Sequence, residues 1–159
     1  MTTTARIPLA IRIPPPLLFA IVFLVGLGLQ RLAPITLDSS SVAAASRVIG
    51  IALLVGGALL ALSCFVMFMV LRTTIIPSGT ASRLLTHGPY RFTRNPMYLS
   101  LVLVYVGVAG TLVQPWPLLL LPVPVAIVNA IVIPFEEARL RDVFGEEFQK
   151  YCANVRRWI

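Results

Sequence analysis

The fold class this sequence predicts is an all-α integral membrane protein with about four transmembrane helices, a C-terminal amphipathic helix and an ordered cytoplasmic loop after the second crossing. Three observations predict it. Hydrophobic residues make up 58% of the 159 positions and charged residues only 12%, where a soluble domain carries about 25% charged residues. Four apolar stretches, near residues 15–32, 48–71, 97–113 and 116–135, come close to the ~20 helical residues needed to cross a hydrocarbon core of ~30 Å. The basic residues gather at the ends of these stretches, and the mean hydropathy of the chain is +0.91.

The first stretch follows Arg6, Arg12 and the run Pro14, Pro15, Pro16. Proline suits a helix start because the amide hydrogen it lacks has no partner there anyway. A basic flank before an apolar run also resembles a secretory leader, but the run is long and has no small-residue cleavage site, so a retained first helix is expected. A polar connection through Asp38, Ser39, Ser40 and Ser41 leads to the second helix, where Gly57 and Ala61 stand four apart and allow close helix packing.

From residue 72 to 95 the composition turns to Thr, Ser, Gly, Pro, His and Arg. So long a connection in a small chain is either functional or disordered. Leu84, Leu85, Tyr90 and Phe92 supply apolar anchors, which favours an ordered loop packed on the bundle. Little more than Gln114 and Pro115 separates the third and fourth stretches, so they are expected to form a tight antiparallel hairpin. Pro117, Pro122, Pro124 and Pro134 predict a kinked fourth helix, since an internal proline removes a backbone hydrogen bond. Beyond Pro134 the chain turns charged, and Leu140, Phe144, Phe148 and Tyr151 mark one face of an amphipathic helix returning toward the loop. The whole reads as one membrane domain: residues 1–71 contribute two helices, and residues 72–159 the loop, hairpin and final helix.

A formal charge of +7 would suggest nucleic acid in a soluble protein. Here Arg72, Arg83, Arg91 and Arg94 lie between the second and third helices, and Arg139, Arg141, Lys150, Arg156 and Arg157 follow the fourth. The other connections hold only Arg31 and Arg47. That asymmetry reports orientation, with both termini and the loop on the cytoplasmic side and no nucleic-acid partner. Cys64 and Cys152 have neither metal-ligand nor disulfide spacing, so no metal is expected.

Two polar clusters fall on the same expected side of the membrane. In residues 87–98, His87-Gly88-Pro89-Tyr90-Arg91-Phe92-Thr93-Arg94-Asn95-Pro96-Met97-Tyr98, Gly88 allows close backbone approach. Pro96 fits the first turn of a helix with Asn95 as its N-cap, where open amides favour an anionic group. An equally good reading makes the arginines a boundary marker and the tyrosines an interfacial belt. The second cluster is Glu136 and Glu137. Either they pair with Arg139 and Arg141 along the helix, worth about 0.3–0.5 kcal/mol, or one faces the loop and holds a ligand hydroxyl or cation.

The first cluster resembles the glycine-proline-tyrosine, arginine, proline-x-tyrosine motif of the isoprenylcysteine carboxyl methyltransferase and phospholipid methyltransferase superfamily. Glu136-Glu137-Ala138-Arg139-Leu140, then Phe144-Gly145-Glu146-Glu147-Phe148, Tyr151, Val155, Arg157 and Trp158, is similar in order and spacing to that family's ending. The resemblance implies an enzyme using S-adenosylmethionine. By position it implies that Ser82, Arg83, Leu84, Leu85, Tyr90, Asn95, Pro96, Met97, Tyr98 and Glu136 surround this cofactor, with His87 and Gly88 completing the loop's candidate set.

The departures bear on substrate. Asn95 stands where the prenylcysteine enzymes usually have histidine, and it cannot titrate. Val132 stands where they place an arginine for the substrate carboxylate, which weakens carboxyl methylation of a prenylated cysteine. Arg156 replaces a common proline. Asn129 becomes the nearest polar group on the substrate side, and Glu137 the candidate catalytic carboxylate. A lipid or other lipophilic acceptor entering from the bilayer is implied, and positioning supplies about 7–11 kcal/mol of barrier lowering in such a transfer. The rival expectations are an NADPH-dependent membrane reductase of the sterol type and a cofactor-free scaffold.

Overall fold

The computed structural model describes residues 13–37, 39–70 and 84–159. Every regular element among them is helical. Helix α1 spans Pro15–Leu32, α2 Ser40–Val70 and α3 Pro96–Leu112, with a 3₁₀ turn at Gly88–Arg91 ahead of α3. The last run comprises α4 (Pro115–Leu120), α5 (Pro122–Ile127), a π-turn (Val128–Val132) and α6 (Ile133–Asn154). Three helices are long and apolar enough to cross a membrane: α1, α2 and the continuous run from Pro115 to Asn154. Helix α3 is apolar but shorter, at 17 residues.

Helix α2 begins eight residues before the expected start at 48. Ser39 precedes its first turn and its carbonyl accepts the Ala43 amide at 3.0 Å. Serine suits this position because its hydroxyl serves open amides, and Ala43, Ala44 and Ala45 then carry the helix on at no side-chain entropy cost.

The most extensive helix pairing joins α2 to α3, and small residues permit it. A Cβ on Gly50 would lie 2.4 Å from the Thr111 nitrogen, and one on Gly107 would lie 2.5 Å from the Leu54 nitrogen. The backbones therefore touch, the arrangement through which membrane helices gain packing without a hydrophobic driving force. The expected pair was Gly57 with Ala61. Gly57 is indeed buried against Leu103 and Val104, but its companion on that face is Gly50, while Ala61 stays half-buried. A spacing of seven, two helical turns, keeps both glycines on the same face of α2. Ser46 Oγ closes the far end by donating to the Gly110 carbonyl at 3.0 Å.

The prolines interrupt the last run as expected, and the chain adjusts around them. At Leu121 the amide bonds the Leu118 carbonyl, leaving the Pro117 carbonyl free. Tyr105 Oη donates to it at 2.9 Å. Pro134 has no amide hydrogen to give, and just before it the helix widens, the Ile133 amide reaching back five residues to Val128. π-turns of this kind frequently mark functional sites. Around them lies the main core of Phe19, Tyr105, Val128, Val132 and Ile133, with Phe19 and Phe23 both edge-on to the Tyr105 ring.

The charged segment after Pro134 does not start a separate helix. Helix α6 runs on past Pro134 and breaks instead at Gly145, where φ is +49°. Only glycine adopts that conformation at little cost, and it is from Gly145 that the final amphipathic segment turns away. Beyond it Phe148 and Tyr151 are buried.

Candidate functional site

The loop, the start of α6 and the segment after α6 converge at one end of the bundle. The loop is anchored first. Leu85 and Tyr90 are buried with Cys64 against Leu60, Met67, Phe68 and Met97. Phe68 meets the Tyr90 ring edge-on at 6.2 Å, and Tyr151 Oη donates to the Tyr90 carbonyl at 2.6 Å. Burial pushes the Tyr90 phenol above its ordinary range, so it stays neutral. Gly88 has φ +58°, a backbone conformation that favours glycine, and a Cβ there would meet Met67 Sδ at 2.7 Å, so that the methionine side chain would have to move.

Asn95 takes the N-cap position of α3 and its carbonyl accepts the Leu99 amide. Its side chain does not cap the helix, however. Asn95 Nδ2 donates to the Arg157 carbonyl at 2.9 Å instead. Buried Thr93 bridges the same place, its hydroxyl donating to the Arg157 carbonyl at 3.0 Å and accepting the Asn95 amide at 3.2 Å. The Arg94 amide donates to the Arg156 carbonyl at 2.9 Å. The final residues thus lie along the loop.

Glu136 and Glu137 then divide their work. Tyr98 Oη donates to Glu136 Oε1 at 2.7 Å, joining α3 to α6 across 38 residues of sequence. Hydrogen bonds to a charged acceptor of this kind are worth about 1.5–3 kcal/mol. Glu137 points to the other side, where Arg157 Nη2 and Nε hold its two oxygens at 2.7 and 3.1 Å and Arg94 Nη2 approaches at 3.2 Å. The fork geometry of Arg157 on a carboxylate adds specificity to charge, and this pair holds the guanidinium above its ordinary pKa. The expected helical pairing with Arg139 and Arg141 is not what forms: Arg139 lies over the Phe135 ring at 6.0 Å, and Glu137 takes the two arginines from loop and tail. Two cations there offset the cost of burying one carboxylate, which a single exposed partner would not.

The structure accordingly brings together Asn95, Pro96, Tyr98, Glu136 and Glu137, with Leu85, Tyr90 and Met97 packed behind them. Leu84 is half-buried. The His87 side chain is exposed and lies 3.3 Å from the Thr86 hydroxyl, apart from this network among the described residues. Ser82 and Arg83 lie outside the described residues. Asn129 sits in the π-turn and accepts a 3.0 Å hydrogen bond from Trp158 Nε1. Trp158 also lines an open apolar depression of about 390 Å³ with Leu99, Val102, Leu121, Pro122 and Val125. Val132, where the prenylcysteine enzymes place an arginine, is 5% exposed and belongs to the apolar core.

Sequence reasoning assigned no role to Thr93, Arg94, Arg157 or Trp158. Their contacts span 20 to 64 residues of sequence, beyond any local pattern. A clue was present in Trp158, a large aromatic within a polar segment.

Comparison with known proteins agrees with the resemblance. The phospholipid methyltransferase family model matches residues 45–147, well over half of the chain, and the chain belongs to that family. It is also 33% identical over 73 residues to probable protein-S-isoprenylcysteine O-methyltransferases of Oryza sativa subsp. indica and subsp. japonica. That match covers 46% of this chain and 38% of each rice protein, so the chain spans well under half the length of these relatives in the matched region. No solved structure matches the chain significantly.

Proposed function

We propose that this member of the phospholipid methyltransferase family transfers a methyl group from S-adenosylmethionine to a lipophilic acceptor drawn from the bilayer. The observation that carries the reading is the 2.7 Å hydrogen bond from Tyr98 to Glu136, which unites the two sequence blocks in one polar site beside an apolar depression. When bound, S-adenosylmethionine supplies an electrophilic methyl group on a sulfonium centre. Glu136 offers a carboxylate to a ribose hydroxyl or to the cationic end, and Tyr98 orients that carboxylate. Among the described residues, the buried Arg94 Nε has no hydrogen-bond partner. A buried donor left alone costs about 1–3 kcal/mol, and a ligand carboxylate beside it would remove that cost. Leu84, Leu85, Tyr90, Asn95, Pro96 and Met97 form the rest of the proposed enclosure, continued by Ser82, Arg83, His87 and Gly88 along the loop.

Glu137 is held by two arginines, and its role in this reading is to fix the loop against α6. Acting as a base would require it to give up those pairs. On the acceptor side, Asn129 and Trp158 stand at the head of the apolar depression. With apolar, buried Val132 in place of a cation, an acceptor that needs no arginine there fits better than a free carboxylate, and a phospholipid is of that class. Helix α3 completes four crossings, and Arg91, Arg94, Arg139, Arg141, Lys150, Arg156 and Arg157 put the site end in the cytoplasm by the positive-inside rule.

Calorimetric titration of detergent-purified protein with S-adenosylhomocysteine, and separately with NADPH, tests the reading. Binding of the first alone, lost in Tyr98→Ala and Glu136→Ala, is expected. A folded protein that binds only NADPH points to a reductase, and one that binds neither points to a scaffold.

A further inference from the structure

We propose that residues 155–158 form a positioning strap for the cofactor loop, with Arg157 as its central residue; the proposal rests on the methyltransferase reading above. Three elements that carry site residues are tied together by this short segment. Its backbone holds the loop, through the Arg156 carbonyl on the Arg94 amide and the Arg157 carbonyl on Thr93 and Asn95. Its Arg157 side chain holds α6, through the two-pronged bond to Glu137, the neighbour of Glu136. Its Trp158 indole holds the π-turn, through Asn129.

The loop has a second set of anchors, Leu85 and Tyr90, but these lie upstream of Thr93. The strap grips the other end, directly before Pro96 and Tyr98. It therefore sets where Asn95 and the first turn of α3 stand relative to Glu136, across a gap that the single Tyr98 bond spans. An error of about 1 Å in such a place costs on the order of a hundredfold in catalysis. A strap that serves only to stabilise the fold would lower the melting temperature and leave ligand affinity intact at lower temperature. A positioning strap changes affinity in a protein that remains folded.

The test compares wild type, Arg157→Ala, Arg157→Lys and Thr93→Val, titrated with S-adenosylhomocysteine well below their melting temperatures. Each is also made in a Trp116→Phe background, where Trp158 is the only tryptophan and its emission reports whether the strap is docked. Arg157→Ala is expected to weaken binding at least about tenfold, with Trp158 emission shifted to the red. Arg157→Lys, which keeps the charge without the fork, should recover part of the affinity. Thr93→Val, of similar shape but with no hydroxyl for the Arg157 carbonyl, should weaken binding a few-fold. If Arg157→Ala does not fold, the lysine and valine variants decide. Wild-type affinity in all folded variants overturns the strap while leaving the methyltransferase reading standing. No binding by wild-type protein overturns that reading first, and the strap with it.

Discussion

The two ends of this molecule are built on opposite principles. Toward the far end, α2 and α3 meet through glycine, with backbone against backbone at Gly50 and Gly107 and one serine hydroxyl for polar closure. At the loop end the contacts are polar and long in sequence: Tyr98 to Glu136, Arg94 and Arg157 to Glu137, Thr93 and Asn95 to the Arg157 carbonyl. Close packing is rigid and indifferent to any ligand. Polar networks hold positions that can be shared with a ligand's own donors and acceptors, which is the ground for proposing the cofactor site at that end.

Substitutions should separate the two ends. The largest effect is expected from Gly50→Val or Gly107→Val, where side-chain atoms would have to occupy space held by backbone. Overpacking of this kind costs about 3 kcal/mol or more, so folded protein should be lost, as read by size-exclusion chromatography in detergent. Next comes Glu137→Ala, which leaves Arg94 and Arg157 facing each other and should cost about 3 kcal/mol in thermal or denaturant unfolding. A catalytic base at that position would give the opposite pattern, full stability with no turnover. Tyr98→Phe should lower the unfolding free energy by about 1.5–3 kcal/mol and reduce S-adenosylhomocysteine affinity about tenfold, by removing one hydrogen bond to a charged group. The smallest effect concerns the tip of the α3–α4 hairpin, where Val113 is held at φ +53°. Valine in the left-handed region costs about 1–2 kcal/mol, so Val113→Gly should raise the unfolding free energy by about 1 kcal/mol without changing ligand binding.

The difference between the ends also explains what the sequence made legible. Apolar length located α1, and the Gln114-Pro115 break located the hairpin, because both are local. Start points were less legible: the serines before α2 read as a connection, although serine at a helix start serves as a cap. Pro134 read as one of four kinks in the last helix, yet the chain widens into a π-turn just before it and breaks at Gly145. At the site, the motif residues 87–98 and Glu136 stood out by type and spacing, and Tyr98 does meet Glu136. For Glu137, helix spacing offered Arg139 and Arg141 as one of two readings, while the actual partners arrive from the loop and from beyond α6. Such contacts depend on the tertiary path of the chain, which no short-range pattern encodes.

The most direct measurement is photolabelling of the purified protein with radiolabelled S-adenosylmethionine, followed by peptide mapping. Label in peptides covering residues 84–98 or 133–158, competed away by S-adenosylhomocysteine and not by NADPH, is the predicted result. Label confined to α1, or no specific label on folded protein, would contradict a cofactor site at the loop end.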